Sequence, residues 1–292
     1  GDYPVYGGNT IYQFIYDDNN PEFWSVDEAQ SHSKSAKWRI REKNKKKLKK
    51  AIYEEFDGSG SQKRFVNELL EEHRGKPLQQ EDVLLDCTEC RLVYRHTTGP
   101  TNERSLIVAV IPENIVCHNA LGTIRPYEIN PSEKDLSENV LHNMYDRVFT
   151  YEELFAVAGL LNSIPTDYLI RSKVEANINM FHILGTQVPR LTEGDEWFDY
   201  ISKRAARLNC YGELFADIRD LIGDIQPVKS KNERRKVKSE LDAAAFHAYG
   251  LTHKEIKFVL RDFYKVENPR MMNEEYFESV LENYEYLKNK KW

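Results

Sequence analysis

Residues 90–112 read CRLVYRHTTGPTNERSLIVAVIP, two apolar runs on either side of a polar loop. In the first, Leu92, Val93 and Tyr94 between Arg91 and Arg95 make a short strand. The second, 106–111, is continuously apolar and rich in β-branched residues, as in a strand buried on both faces. The segment between, 96–104, is too long for a tight hairpin turn. Its His96, Thr97, Thr98, Thr101, Asn102, Glu103 and Arg104 offer donors and acceptors in many directions. A rigid sheet that presents such a loop is one way to build a recognition site. The same residues also suit an ordinary solvated loop, and the pattern weighs the two equally.

Working outward, residues 1–16 predict a β-hairpin turning at Gly7-Gly8-Asn9, with Tyr12, Phe14 and Tyr16 on one face. Residues 33–50 are the most basic stretch, around Trp38 and Ile40. They read as a solvated helical face or as a phosphate-contacting arm. Gly58-Ser59-Gly60-Ser61 is a flexible joint, and Phe65, Val66, Leu69 and Leu70 follow as a short amphipathic helix. Residues 115–117 predict a third strand, Thr123-Ile124-Arg125 runs into a turn at Pro126, and 131–145 is polar and loop-like.

The second half changes character. Thr150-x-x-Glu153 is a capping box opening a largely buried helix, and Pro165 separates it from another. From Trp197 onward the chain reads as helix, with Ile201, Ala205 and Leu208 on one face and Leu214, Phe215, Ile218 and Leu221 on another. Residues 226–238 read as a polar joint holding a second basic cluster, Lys229, Lys231, Arg234, Arg235, Lys236 and Lys238. Gly250 ends a helix, a Thr252-x-x-Glu255 capping box opens the next, and Asn273 caps the last.

A chain of 292 residues fits one large domain or two smaller ones, and four cysteines point to a reducing compartment rather than a disulfide scaffold. No run approaches the ~20 apolar residues that span a bilayer, and no signal-peptide pattern opens the sequence. The start at Gly1-Asp2, directly before a strand-like run, suggests a fragment of a longer protein. The net charge of −6 leaves nucleic-acid binding dependent on how the positive residues are distributed. Asn20-Pro21, Asn130-Pro131 and Asn268-Pro269 lack the second proline and aromatic residue of an adenine methyltransferase motif. No Gly-rich nucleotide loop and no nuclease signature stands out. Cys87, Cys90, Cys117 and His118 have the residue types of a zinc site. However, Cys117 and His118 are adjacent on a strand and point to opposite faces, and lone buried Cys is commonly a small hydrophobe.

Arg91-Leu-Val-Tyr-Arg95, Thr101-Asn-Glu-Arg-Ser-Leu-Ile107 and Ile111-Pro112 resemble the target-recognition region of large restriction-modification adenine-N6 methyltransferases. These are of the type IIG, single-polypeptide type I and BREX kinds, whose specificity domain is TaqI-like. Four further stretches are similar in order: Tyr3-Pro-Val-Tyr-Gly-Gly8 with Phe14; Leu160-Leu-Asn-Ser163 with Asp167, Tyr168 and Arg171; Asn177-Ile-Asn179 through Pro189; and Tyr249-Gly-Leu-Thr252 with Glu255 and Ile256. The resemblance lapses over roughly 27–85.

It implies an α+β fold. A mixed-sheet target-recognition domain over 1–192, carrying a basic insert near 27–80, is followed by a helical domain over 193–292. It further implies sequence-specific recognition of double-stranded DNA for a methyltransferase region on the same polypeptide, which methylates adenine N6 with or without cleavage of the DNA, and a cytoplasmic setting without membrane contact. S-adenosylmethionine belongs to that catalytic region, with no cofactor in this chain. The DNA-reading candidates are Arg95, Thr97, Thr98, Thr101, Asn102, Arg104 and Arg125, with a second group of Arg171, Lys173, Asn177 and Asn179. For each, a structural hydrogen bond is the competing role, and Glu103–Arg104 suits an internal salt bridge equally well. In a family whose members read different sequences, shared motif residues tend to be scaffold. The alternative function is a protein-interaction module without DNA affinity, to which the net acidity and the 17 tyrosines are suited.

Overall fold

The computed structural model describes residues 3–24, 46–47, 50, 64, 87, 89–129, 145–223 and 225–290. Most of the basic run 33–50, the joint at 58–61, the helix expected over 65–70 and the polar stretch 131–144 lie outside the described residues. Among those described, the strands are β1 (Tyr3–Tyr6), β2 (Glu22–Trp24), β3 (Arg91–Arg95), β4 (Val108–Ile111), β5 (Val116–Cys117), β6 (Leu121–Ile124), β7 (Tyr127–Ile129) and β8 (Tyr145–Arg147). The helices are α1 (Tyr151–Leu161), α2 (Ile164–Arg171), α3 (Met180–Leu184), α4 (Phe198–Asn209), α5 (Ala216–Leu221), α6 (Lys231–Ala248), α7 (His253–Phe263) and α8 (Glu274–Lys288), with a 3-10 turn at Glu213–Phe215. The chain is an α+β mixed fold: strands in the first half, helices in the second.

β3 runs antiparallel to both β4 and β6, which gives the order β4-β3-β6. Tyr94 pairs with Gly122 in that register, and a Cβ on Gly122 would meet the Tyr94 ring at 2.1 Å. The ring therefore lies in the space that only glycine leaves open. A second sheet, β2-β1-β5, corrects the expected hairpin. The antiparallel partner of β1 is β2, and its other neighbour is the parallel strand β5. Residues 11–16 form no strand, because Phe14 takes a positive φ of 57° and the chain folds back with a single bridge between Tyr12 and Ile15. That fold-back buries both Ile11 and Phe14, which a strand would have sent to opposite faces.

β4 is an outer strand, yet its four residues are fully buried. A buried edge leaves N–H and C=O groups that need partners, and here side-chain amides supply them. Asn162, the C-cap of α1, pairs with both backbone groups of Val108. Asn209, the last residue of α4, pairs with those of Val110, accepting at 3.0 Å and donating at 2.8 Å. Asp167 of α2 continues the row, accepting from the amides of Ser105 and Leu106 at 3.2 and 3.3 Å.

The helices then pack on that edge. Gly159 brings α1 against α4, where an added Cβ would meet Ile201 at 2.6 Å. One apolar core joins the sheets to α1, α4 and the segment 215–228, and a second is built by α4, α6, α7 and α8. Both draw residues from either side of position 193. Thr150 and Thr252 form the expected capping boxes, and Gly250 closes α6 at φ 68°. Two readings are corrected. Phe215 and Ile218 are buried, while Leu214 and Leu221 are exposed, because the 3-10 turn shifts the helical phase before α5 begins. The polar joint at 226–238 is helix from Lys231 onward, capped by Ser230, whose hydroxyl accepts the Glu233 amide at 3.3 Å.

Candidate nucleic-acid interface

The loop 96–107 is held from behind. Arg171, buried at the end of α2, donates to the carbonyl oxygens of Pro100 at 3.1 Å, Asn102 at 2.8 Å and Glu103 at 3.0 Å. Within the loop, Thr98 donates to the Ser105 carbonyl at 2.6 Å and Ser105 to that of Gly99 at 3.1 Å. Glu103 accepts the amides of Met271 and Met272, each at 2.6 Å, and the Tyr12 hydroxyl at 3.1 Å. Arg104 points inward to Asp242 at 3.2 Å, with both side chains about 2% exposed. Asp242 also accepts the Ile164 amide and the Tyr276 hydroxyl. Glu103 and Arg104 thus each bond elsewhere, and the salt bridge weighed between them is replaced by two anchors into the helical half.

These contacts sort the sequence-derived candidates. Arg104 and Arg171 are buried scaffold groups and face no open surface: Arg104 bonds Asp242 through Nη2 alone, and Arg171 bonds the loop carbonyls through Nη1 and Nη2. Arg95 is half-buried against the Ile11 carbonyl and the Tyr12 ring, and burial lowers its pKa. Thr98 is occupied within the loop, and Arg125 is half-buried beside Pro126. Thr97, Thr101, Asn102, Lys173, Asn177 and Asn179 are exposed. Thr97 and Asn177 sit side by side across an isolated bridge, Asn179 caps α3, and Lys173 reaches the Gly185 carbonyl at 3.0 Å.

A cleft of about 740 Å³ opens between the N-terminal fold-back, the loop and the start of α6. Tyr12, Gln13 and Ile15 form one wall and Lys229, Lys231, Arg234, Arg235 and Lys238 another, while Arg270 and Met271 close a third. Six cations face two carboxylates, Glu103 and Glu275. Much of that charge is anchored. Arg234 donates to the carbonyls of Leu208, Val228 and Phe14, Arg235 binds Asn273 and Glu275, and Arg270 pairs with Asp18 at 3.2 Å over the Tyr12 ring. Lys229 and Lys231 are exposed, with no ion pair among the described residues. Lys238 is only 8% exposed, and burial first, then the neighbouring Arg234 and Arg104, depress its pKa to about 7. A shallower recess of about 330 Å³, lined by Gly8, Asn9, Asn19, Arg95 and Thr97, lies on the far side of the Tyr12–Arg95 contact.

Sequence reading pointed to the cluster 229–238 without its partners across the cleft. Tyr12 and Arg270 were missed, since nothing local links them to it. The Ser230-x-x-Glu233 pattern was the available signal that α6 starts there and stacks Lys231, Arg234, Arg235 and Lys238 at helical spacing.

The described residues contain no group of three or more His, Cys, Asp or Glu placed to hold a metal. The four cysteines are buried and form no disulfide; burial pushes the Cys90 thiol up to about 12, and Cys117 Sγ accepts from Arg91 at 3.3 Å. No helix among the described residues is long and apolar enough to cross a membrane. Comparison with family models, curated proteins and solved structures returned no match.

Proposed function

We propose that this chain recognises double-stranded DNA as the specificity portion of a restriction-modification enzyme, directing adenine-N6 methylation by a catalytic region elsewhere on the same polypeptide. The observation that carries the reading is the cleft itself: six cations around one opening in a chain of net charge −6. Phosphate contact depends on local positive surface rather than on the total, so such concentration is what a DNA backbone needs. The loop that supplies Glu103 to the cleft lining also carries the exposed Asn102, and Thr97, bridged to Asn177, lines the smaller recess; these groups have the donor and acceptor chemistry that reads base edges. The setting that goes with this role is the cytoplasm, and the S-adenosylmethionine of the reaction belongs to the catalytic region.

A second reading, a protein-interaction module, is favoured by α3, where Phe181 and Leu184 are 65% and 79% exposed. Selection of this chain on a random duplex pool, at low and moderate salt, separates the two. Enrichment of one short motif supports recognition. Absence of retention even at low salt overturns it in favour of the interaction module.

A further inference from the structure

Lys238 is the most buried cation of the cleft, and its ammonium makes no hydrogen bond to any described residue. Its nearest ring neighbours are Tyr12 and Phe14, each with the Nζ 5.9 Å from the centroid. An ammonium carries three donors, and burying it unpaired is costly. The groups that face it are Arg234 and Asp242 on its own helix, and Glu103 and Arg104 on the loop. Both carboxylates are already committed. Asp242 serves Arg104, Tyr276 and the Ile164 amide, and Glu103 serves two backbone amides and Tyr12.

One turn toward the helix start, at i,i−4, Arg234 spends its hydrogen bonds on three carbonyl oxygens. Two cations therefore stack on one helix face with no carboxylate bonded to either, an arrangement that is destabilising by itself. A space-filling residue of similar length, such as methionine, would remove the conflict. What the arrangement suits is an anion entering from solvent.

We infer that the floor of this cleft is a seat for a phosphate group, with Lys238 as the innermost contact, Arg234 as the charge behind it, and Lys229 and Lys231 at the rim. A tetrahedral phosphate offers several acceptor oxygens to an ammonium with three free donors. The start of α6, an 18-residue helix, adds its dipole at the rim. The volume of about 740 Å³ admits the phosphate together with the sugar or chain that carries it. The phosphate can be a diester of a DNA backbone or part of a small molecule. The first source deepens the DNA reading and rests on it; the seat itself does not.

The test uses the full chain with lysine labelled by ¹³C at the ε position, titrated with inorganic phosphate and followed by NMR. The Lys238 signal is the one lost in K238Q, or in K238M if K238Q does not fold. The expected result is a saturable shift of that signal, and a titration midpoint that rises by about one pH unit or more when phosphate is bound. The exposed Lys265, paired with Asp262, serves as the control that stays put. A Lys238 signal indifferent to phosphate overturns the seat, whatever the chain does with DNA. The source is decided by duplex binding at several salt concentrations. If K238Q lowers the slope of log affinity against log salt by about one, the ligand is the DNA backbone. If the native Lys238 signal responds to phosphate and K238Q leaves duplex affinity and its salt slope unchanged, the seat serves a free phosphate compound.

Discussion

The guanidinium of Arg171 lies 4.3 Å from the centroid of the Phe263 ring while its nitrogens face the carbonyls of the loop 100–103. One side chain thus couples α7 of the helical half to the loop that the sheet presents. A lysine carries the same charge but lacks the planar fork that reaches several oxygens at once. Arg171→Lys is expected to cost about 2–3 kcal/mol, as buried carbonyls lose charged donors. Hydrogen exchange of the amides of Gly99 and residues 101–104 should accelerate more than exchange in β3. Uniform acceleration across the chain would show that Arg171 supports the whole fold and not the loop in particular.

The pairing of Asn162 with Val108 yields a second expectation. Its Oδ1 accepts the Val108 amide at 3.0 Å and its Nδ2 donates to the Val108 carbonyl at 2.9 Å, so one side chain stands in for a neighbouring strand. Asn162→Ala leaves the Val108 amide buried and unpaired, at on the order of 1–3 kcal/mol, while the Val108 carbonyl keeps the Phe14 amide at 3.1 Å. Asn162→Asp keeps the acceptor, loses the donor and introduces a buried charge, so it should destabilise more than alanine at neutral pH and less so as pH falls toward the carboxylate range. Chemical denaturation at two pH values checks both. Equal stability of the two variants at all pH would mean that this edge is open to water.

The fold class was legible because strand and helix patterns are local. The run 106–111 and the capping boxes at Thr150 and Thr252 each carry their signal within a few residues. The fold-back at Phe14 was not legible, since a positive φ at a bulky residue is imposed by distant packing. The candidate site divided the same way. A polar residue in a loop looks alike whether it faces solvent or the interior, so Arg104 and Arg171 ranked with Asn102 and Thr97 until their partners, 138 and about 70 residues away in sequence, were in view. Most of the residues that carried the family resemblance, Asn162, Asp167, Arg171 and Arg104 among them, turn out to be buried scaffold.

If the chain reads DNA, its two kinds of contact separate by experiment. Lys229 and Lys231 are exposed at the cleft rim, so the double glutamine variant should weaken binding to all duplexes alike and reduce the salt slope by about two. Alanine at Thr97, Asn102 or Asn177 should leave the slope unchanged and relax preference at single base pairs, by about 1–3 kcal/mol for each lost bidentate contact. Anisotropy titrations on the selected site and a scrambled site measure both. Rim variants that change sequence preference, or loop variants that change only the salt slope, would reverse the assignment.

Lys238 makes stability depend on pH in a definite direction. Its pKa is held near 7 in the folded chain, while an unfolded lysine titrates near 10.4. Between those values the unfolded state binds the extra proton, so folding stability rises with pH across the window from about 7 to 10.4. Below pH 7 both states are charged, and the full penalty of burying the ammonium is present. Lys238→Met removes a penalty on the order of a few kcal/mol there. Its Tm should exceed the native value at pH 6, and the gap should narrow as pH rises toward 10. Added inorganic phosphate should narrow the gap at pH 6 as well, because an anion on Lys238 stabilises only the chain that still has the lysine. A gap that is constant with pH would mean that the ammonium reaches water in the cleft, and that its burial costs the fold nothing.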